Sequence, residues 1–311
     1  MQHCRTPLKI ANAKLAIDQQ QVGRALEGSG TATRVLRPGL DDPVRTSRIG
    51  AMETFRLHRG TTPLLLSLPH DGSEIPAPLA ATMVALARAA PDTDWHVSRI
   101  YDFALAMGAS MIVPRYSRYV VDLNRPPDDV SLYPGQNTTG LCPVVQFTGG
   151  PVYLPGQDPS PVEIGRRVQA YWLPYHQALA AEISRLRELH GRVLLWEGHS
   201  IRSQVPFLFD GRLPDLNLGT AAGASCLAET QQRIEAVLAG QSRYSWVSNG
   251  RFKGGYITRH HGRPADGVEA VQLELAQLNY MDEDSFAYDK ARAVQLQALL
   301  QDLLEAALGC Q

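Results

Sequence analysis

Pro63-Leu64-Leu65-Leu66-Ser67-Leu68 is an apolar run of strand length that stops at Pro69-His70-Asp71-Gly72. A strand apolar at consecutive rather than alternate positions is covered on both faces, which is the environment inside a parallel sheet. Val193-Leu194-Leu195-Trp196 repeats the pattern and runs into Glu197-Gly198-His199-Ser200. Strands are also expected at Ser110–Pro114, Arg118–Asp122 and Ala270–Leu275, and helices over about Leu79–Ala90, Val97–Met107, Ala224–Ala239 and Ala287–Leu308. From Pro161 to His190 the residues Val168, Trp172, Tyr175, Leu179, Ile183 and Leu186 recur at steps of three and four, and Gly191 supplies a stop. That spacing predicts one long helix, kinked at Pro174. Strands alternating with helices give an α/β fold: a mixed, largely parallel sheet covered by helices on both faces.

The 311 residues are 44% hydrophobic and 20% charged, enough apolar material for a sizeable core. Residues 1–50 lack sustained apolar periodicity and precede a second methionine, Met52, so they read as a disordered extension before a single domain over 51–311. With 30 Lys+Arg against 31 Asp+Glu the net charge is −1, leaving no overall basic field to attract nucleic acid or an anionic membrane. No apolar run approaches the roughly 18 residues of a spanning helix, and no signal-peptide core is apparent. Cys4, Cys142, Cys226 and Cys310 are scattered without a CxxC pair, as free thiols of a reducing cytosol would be. A cytoplasmic protein acting on a small molecule is the expectation.

Ligands of open α/β sheets bind beyond the carboxyl ends of the strands. His70 and His199 each follow an apolar strand, so both imidazoles can converge on one rim, and neutral imidazole is the usual zinc ligand. A third ligand is available at Asp92, Asp94 or His96 in Asp92-Thr93-Asp94-Trp95-His96, or at Glu74; Asp92 equally suits a helix cap. Arg118, Asn124 and Arg125, in Ser117-Arg118-Tyr119-Val120-Val121-Asp122-Leu123-Asn124-Arg125-Pro126, can clamp a carboxylate, with Asp122 orienting an arginine. In Ala270–Leu275, period two puts Val271, Leu273 and Leu275 on the core face and Gln272 and Glu274 on the other, where Glu274 can project into a cleft as a general base. The loop over residues 126–160 is long enough to be functional. Arg259, His260 and His261 follow Gly254-Gly255-Tyr256, read as a mobile loop able to help close a site. There is no GxSxG elbow, phosphate loop or dinucleotide fingerprint.

These segments together resemble the N-formylglutamate amidohydrolase family. The resemblance runs from about Phe55 to the last helix and is carried by SLPHDG at 67–72, DTDWH at 92–96, SRYVVDLNRP at 117–126 and GHSIRS at 198–203. It continues through LFDGRLPD at 208–215, NLGT at 217–220, NGRFKGGYITR at 249–259 and VQLELAQ at 271–277. It implies a fold akin to the zinc carboxypeptidases and aspartoacylase-type deacylases, with a zinc ion at His70 and His199. It further implies carboxylate binding by Arg118, Asn124 and Arg125, and Glu274 as general base. Those relatives take a glutamate ligand three residues after the first histidine, where this chain has Ser73. The DTDWH run belongs to the family's own pattern, which favours Asp94 as the remaining ligand, then Asp92, with Glu74 the alternative. The aromatic residue expected before the glycine after Arg259 is also replaced, giving His260-His261-Gly262.

The implied activity is zinc-dependent hydrolysis of N-formyl-L-glutamate to formate and L-glutamate, the last step of a histidine degradation route. Arg202 and Arg259 are candidates for the second substrate carboxylate. Two alternatives stand beside it: a related metallo-deacylase or carboxypeptidase acting on another substrate, and a carboxylate-binding protein without catalysis.

Overall fold

The computed structural model describes residues 53–309 apart from 133, 134 and 136. The extension expected over residues 1–50 lies outside the described residues, as do Met52, Cys4 and Cys310.

Strand β1 (Phe55–His58) precedes β2 (Leu64–Ser67), all of whose residues are buried. The helix expected over 79–90 is instead two single turns, α1 (Ala77–Ala80) and α2 (Ala85–Arg88). The chain between them is drawn into extended pairing: Val84 N–H donates to Val152 O at 3.1 Å and Met83 bridges Tyr153. The next expected helix also divides, into α3 (Val97–Ile100) and α4 (Phe103–Ala106), while β3 (Ser110–Pro114) has its expected bounds. Arg118–Asp122, expected as a strand, is irregular. Val120 N–H turns back to Ser117 O, and Asp122 N–H donates to Leu141 O at 2.7 Å, so no ladder forms.

The long helix starts as α5 (Pro161–Arg167), where Ser160 Oγ accepts from Glu163 N–H at 3.3 Å. It widens into a π turn over Val168–Trp172 and continues as α6 (Leu173–His190), ended by Gly191 at φ 72°. Pro174 has no N–H to donate to the preceding turn, and the wider turn directly before it absorbs that break. Strand β4 (Val193–Ile201) extends past its expected end, placing His199 within the strand rather than beyond it. Strand β5 (Leu216–Gly219) follows, and α7 (Ala228–Ala239) begins later than expected because Ser225 N–H turns back to Thr220 O. After β6 (Trp246–Ser248), the stretch read as a mobile loop is ordered into α8 (Tyr256–His261). Strand β7 (Val268–Ala276) and helix α9 (Lys290–Leu308) complete the described chain.

The sheet has seven strands in the order β1-β3-β2-β4-β7-β5-β6. β1 is antiparallel to β3 and β5 to β7; the other pairings are parallel. Helices cover both faces. Leu64, Leu66, Trp196 and Leu273 pack with Ile100, Ile234 and Leu300 on one side; Leu65, Leu195 and Ala270 pack with Tyr175, Leu179 and Leu186 on the other. Each leucine or isoleucine among them contributes about 1.5–3 kcal/mol of burial, so the continuous apolar runs locate the centre of the sheet. Among the described residues no helix is long and apolar enough to cross a membrane.

Candidate active site

Because Leu195 and Ala270 face α6, period two turns Glu197, His199, Gln272 and Glu274 to that same face. The parallel register then sets His199 beside Glu274 and Glu197 beside Gln272. His70 arrives just past the end of β2, and Asp94 N–H donates to His70 O at 3.0 Å, which ties the DTDWH run to it. A cavity here is lined by His70, Asp94, His199, Glu274, Arg125 and Arg251, among others.

His70, Asp94 and His199 are buried, and each offers one ligand atom, all within 4.8 Å of one another. Asp94 Oδ2 lies 2.9 Å from His199 Nδ1 and 3.7 Å from His70 Nδ1. The opposite ring nitrogens meet carboxylates: His70 Nε2 is 2.7 Å from Asp122 Oδ1, and His199 Nε2 is 2.7 Å from Glu197 Oε1. A carboxylate accepts, so His70 Nε2–H donates to Asp122 with its Nδ1 turned towards Asp94, and His199 donates from Nε2 to Glu197 and from Nδ1 to Asp94. Carboxylates that orient metal-ligating histidines in this way are a recurring feature of metal sites.

The electrostatics agree. Burial alone raises the Asp94 carboxyl, but the His70 charge and the hydrogen bond from His199 outweigh it and hold Asp94 below its ordinary value. Burial likewise disfavours the His199 imidazolium, yet hydrogen bonds to Asp94 and Glu197 lift its pKa well above the ordinary one. The pocket between the rings and Asp94 is therefore one that wants positive charge. Two imidazole nitrogens and a carboxylate oxygen are donors that suit a divalent ion of the zinc type. Glu274 is pushed up to about 8, first by burial and then by Asp94 and Glu197, against the opposing pull of His199 and Arg118.

Arg118, Asn124 and Arg125 all line the cavity. Arg118 Nη2 donates to Asp122 Oδ2 at 2.7 Å, its Nη1 is 3.8 Å from Asp94 Oδ1, and its guanidinium lies over the Phe147 ring. Asp122 thus orients both His70 and Arg118. Asn124 Oδ1 accepts from Ile257 N–H at 2.9 Å, which turns its amide nitrogen to within 3.0 Å of His199 Nε2. Arg125 Nε donates to Thr139 O at 2.9 Å, a carbonyl of the long loop. Three successive carbonyls of this segment are held from behind: Leu123 O by His176 Nε2 at 2.9 Å, Asn124 O by Tyr256 N–H at 3.3 Å, and Arg125 O by Trp172 Nε1 at 3.0 Å. Trp172 and His176 read in sequence only as part of a helix. The π turn that aims them has no signature in apolar spacing.

Other expected residues are placed elsewhere. Arg202 pairs with Asp284 at 2.7 Å and with Glu283 O, and Arg259 Nε donates to Gly254 O at 2.8 Å; neither lines the cavity. Glu74 is exposed and paired with Arg115 at 2.7 Å. Asp92 is neither ligand nor helix cap: it accepts from Tyr119 Oη at 2.6 Å and Phe147 N–H at 2.8 Å. His260 and His261 follow one another on α8 and stay outside the cavity lining. Arg251, in the NGRFKGGYITR segment, also lines the cavity.

What such a cavity suits is cleavage of a substrate by water, and the fold and site together define an enzyme of the α/β class with hydrolytic chemistry. Its particular place is given by sequence: the model of the N-formylglutamate amidohydrolase family matches residues 62–281, and the chain belongs to that family of amidohydrolases. It is 53% identical over 258 residues to the N-formylglutamate deformylase of Pseudomonas aeruginosa, covering 83% of this chain and 97% of that protein. The Pseudomonas putida enzyme of the same name is 50% identical over 258 residues, covering 83% and 96%. The fold matches the N-formylglutamate amidohydrolase structure from Ralstonia eutropha JMP134 at a TM-score of 0.70 and 24% identity, over 83% of this chain and 97% of that one. A gene product of Agrobacterium tumefaciens matches at a TM-score of 0.59 and 19% identity, over 81% and 95%.

Proposed function

We propose that this protein hydrolyses N-formyl-L-glutamate to formate and L-glutamate in the cytoplasm, as the last step of histidine degradation, with a divalent metal, zinc by its donor set, held by His70, Asp94 and His199. The observation that carries the reading is the pairing of His199 with Glu274 across β4 and β7, which sets a base beside the ligand cluster in a cavity that also holds Arg125. When bound, the metal would polarise the formyl carbonyl towards attack by water.

The rest falls to the chain. Glu274 takes a proton from the attacking water and returns it to the leaving nitrogen as the C–N bond breaks. Burial in the cavity disfavours its charged form, so the carboxylate gains from taking up a proton. Arg118, close to Asp94, steadies charge growing on the formyl oxygen. Asn124 and Arg125 hold the α-carboxylate, with Asn124 fixed by Ile257 and Arg125 by Thr139. The small formyl group offers little to grip, so selectivity rests on the dicarboxylate half.

The test is formate release from N-formyl-L-glutamate by the purified protein, before chelation, after it, and after zinc is restored. Activity lost and then recovered supports the proposal; activity indifferent to chelation rejects the metal, and no activity with zinc rejects the substrate.

A further inference from the structure

Helix α8 opens on Gly255, which has no side chain to cap it, and the four N–H groups of its start are taken up by residues around the cavity instead. Gly255 N–H donates to Gln272 Oε1 at 2.7 Å, Tyr256 N–H to Asn124 O at 3.3 Å, Ile257 N–H to Asn124 Oδ1 at 2.9 Å and Thr258 N–H to Glu197 Oε2 at 3.0 Å. Thr258 also donates to that same glutamate oxygen from its hydroxyl. Glu197 turns its other oxygen to His199 Nε2 at 2.7 Å. Both Glu197 and Thr258 are fully buried. The threonine methyl has a place of its own: a Cβ built on Gly254 would lie 2.9 Å from Thr258 Cγ2, so the methyl packs over that glycine while the hydroxyl faces the carboxylate.

We propose that Thr258 is a positioning residue for the metal ligands: its hydroxyl and N–H together hold Glu197 Oε2, so that Oε1 stays on His199 and the imidazole keeps Nδ1 turned towards Asp94; this rests on the divalent-metal reading proposed above. Strand β4 fixes the backbone of Glu197 and His199 and the face on which they lie, but not the torsions of their side chains. Two donors on one oxygen set the rotation of the carboxylate, whereas the N–H alone would let it swing about a single bond. A histidine ligand whose outer partner wanders loses part of its preset geometry, and with it affinity for the ion.

The experiment is zinc affinity by competition with a chromogenic chelator, together with thermal unfolding of the metal-free protein, for the wild type, Thr258→Val and Thr258→Ser. Thr258→Val keeps the methyl and removes the hydroxyl; Thr258→Ser does the reverse. Thr258→Val is expected to weaken zinc binding about 10-fold, the low end for a group behind a metal-bound histidine, because the N–H bond survives. Thr258→Ser is expected to unfold at a lower temperature, through lost packing on Gly254, with wild-type zinc affinity; a merely structural threonine would not separate the two readouts. A folded Thr258→Val with wild-type affinity overturns the role, as does equal weakening in Thr258→Ser, which would trace the effect to the methyl. Should Thr258→Val not fold, Thr258→Ala decides: weaker zinc binding than in Thr258→Ser supports the role, and equal binding overturns it. Should neither fold, the hydroxyl serves the fold and not the ligands, and the role is overturned. A wild type that binds no zinc rejects the metal reading and this inference together, whereas wild-type binding that persists unaltered in Thr258→Val rejects only Thr258.

Discussion

His199 and Glu274 are register partners on the adjacent parallel strands β4 and β7, and both side chains line one cavity. Neighbouring strands lie about 4.8 Å apart, so this pairing holds the Glu274 carboxyl at a fixed, short distance from the His199 imidazole without any loop having to close, as the proposed roles of base and ligand require. The two side chains also interact electrostatically: burial raises the Glu274 carboxyl and His199 opposes that shift.

Glu274→Gln keeps the shape of the side chain and removes its ability to take a proton. Turnover is expected to fall by about 10²–10⁴-fold, the usual weight of a general base, with zinc content unchanged. Parallel formate assays and metal analysis check this. A loss of zinc in step with activity would instead make Glu274 part of the ligand set.

Asp122→Asn exchanges the carboxylate that orients His70 and Arg118 for a neutral amide. Zinc affinity is expected to weaken by roughly 10–100-fold, as with other outer carboxylates of metal-bound histidines. Competition against a chromogenic chelator measures it, and wild-type affinity in the variant would contradict the role given to Asp122.

Gly255→Ala tests the carboxylate role proposed for Asn124 without substituting Asn124 itself. Gly255 has an ordinary φ of −84°, but a Cβ there would lie 2.2 Å from Asn124 Nδ2 and 2.5 Å from its Cγ. The amide must move, so KM is expected to rise about 10-fold, one lost hydrogen bond to substrate, with about 1–3 kcal/mol of overpacking cost in denaturation. A destabilised variant with unchanged KM would show that Asn124 does not touch substrate.

Acid should loosen the support behind the site. Burial first, then His261 and His260, pull His176 down to about 3 despite its bond to Leu123; burial, His260 and Arg263 do the same to His261. Between the ordinary histidine value and 3, the unfolded chain binds protons that the folded chain refuses. Stability is therefore complete above about pH 6.5 and falls as pH drops, by on the order of 2–3 kcal/mol per histidine by pH 4.5. Urea unfolding of the wild type and His176→Gln at the two ends of that window checks the sign: the glutamine variant should lose less on acidification, and an equal loss would remove His176 from the account.

The apolar runs at 63–68, 110–114 and 193–196 were enough to place the buried strands, and the alternation at 270–275 put Glu274 on the functional face. Periodicity reports which side of an element is covered, and His70, His199 and Glu274 lie on or just after strands whose faces it defines. It does not report the path of the chain between elements. Asp94 meets the histidines rather than Asp92 or Glu74 because a backbone bond from Asp94 to His70 O fixes that loop, while Tyr119 and Arg115 occupy the other two carboxylates. The same limit explains Arg118–Asp122, whose alternation suits a strand but whose backbone is tied to Leu141. It explains the arginines too, since Arg202 is drawn to Asp284 and Arg251 to Asn137, residues more than eighty positions away along the chain. Local pattern determined the sheet and the face on which Glu274 lies; long-range hydrogen bonds decided which of several equally polar side chains share the cavity.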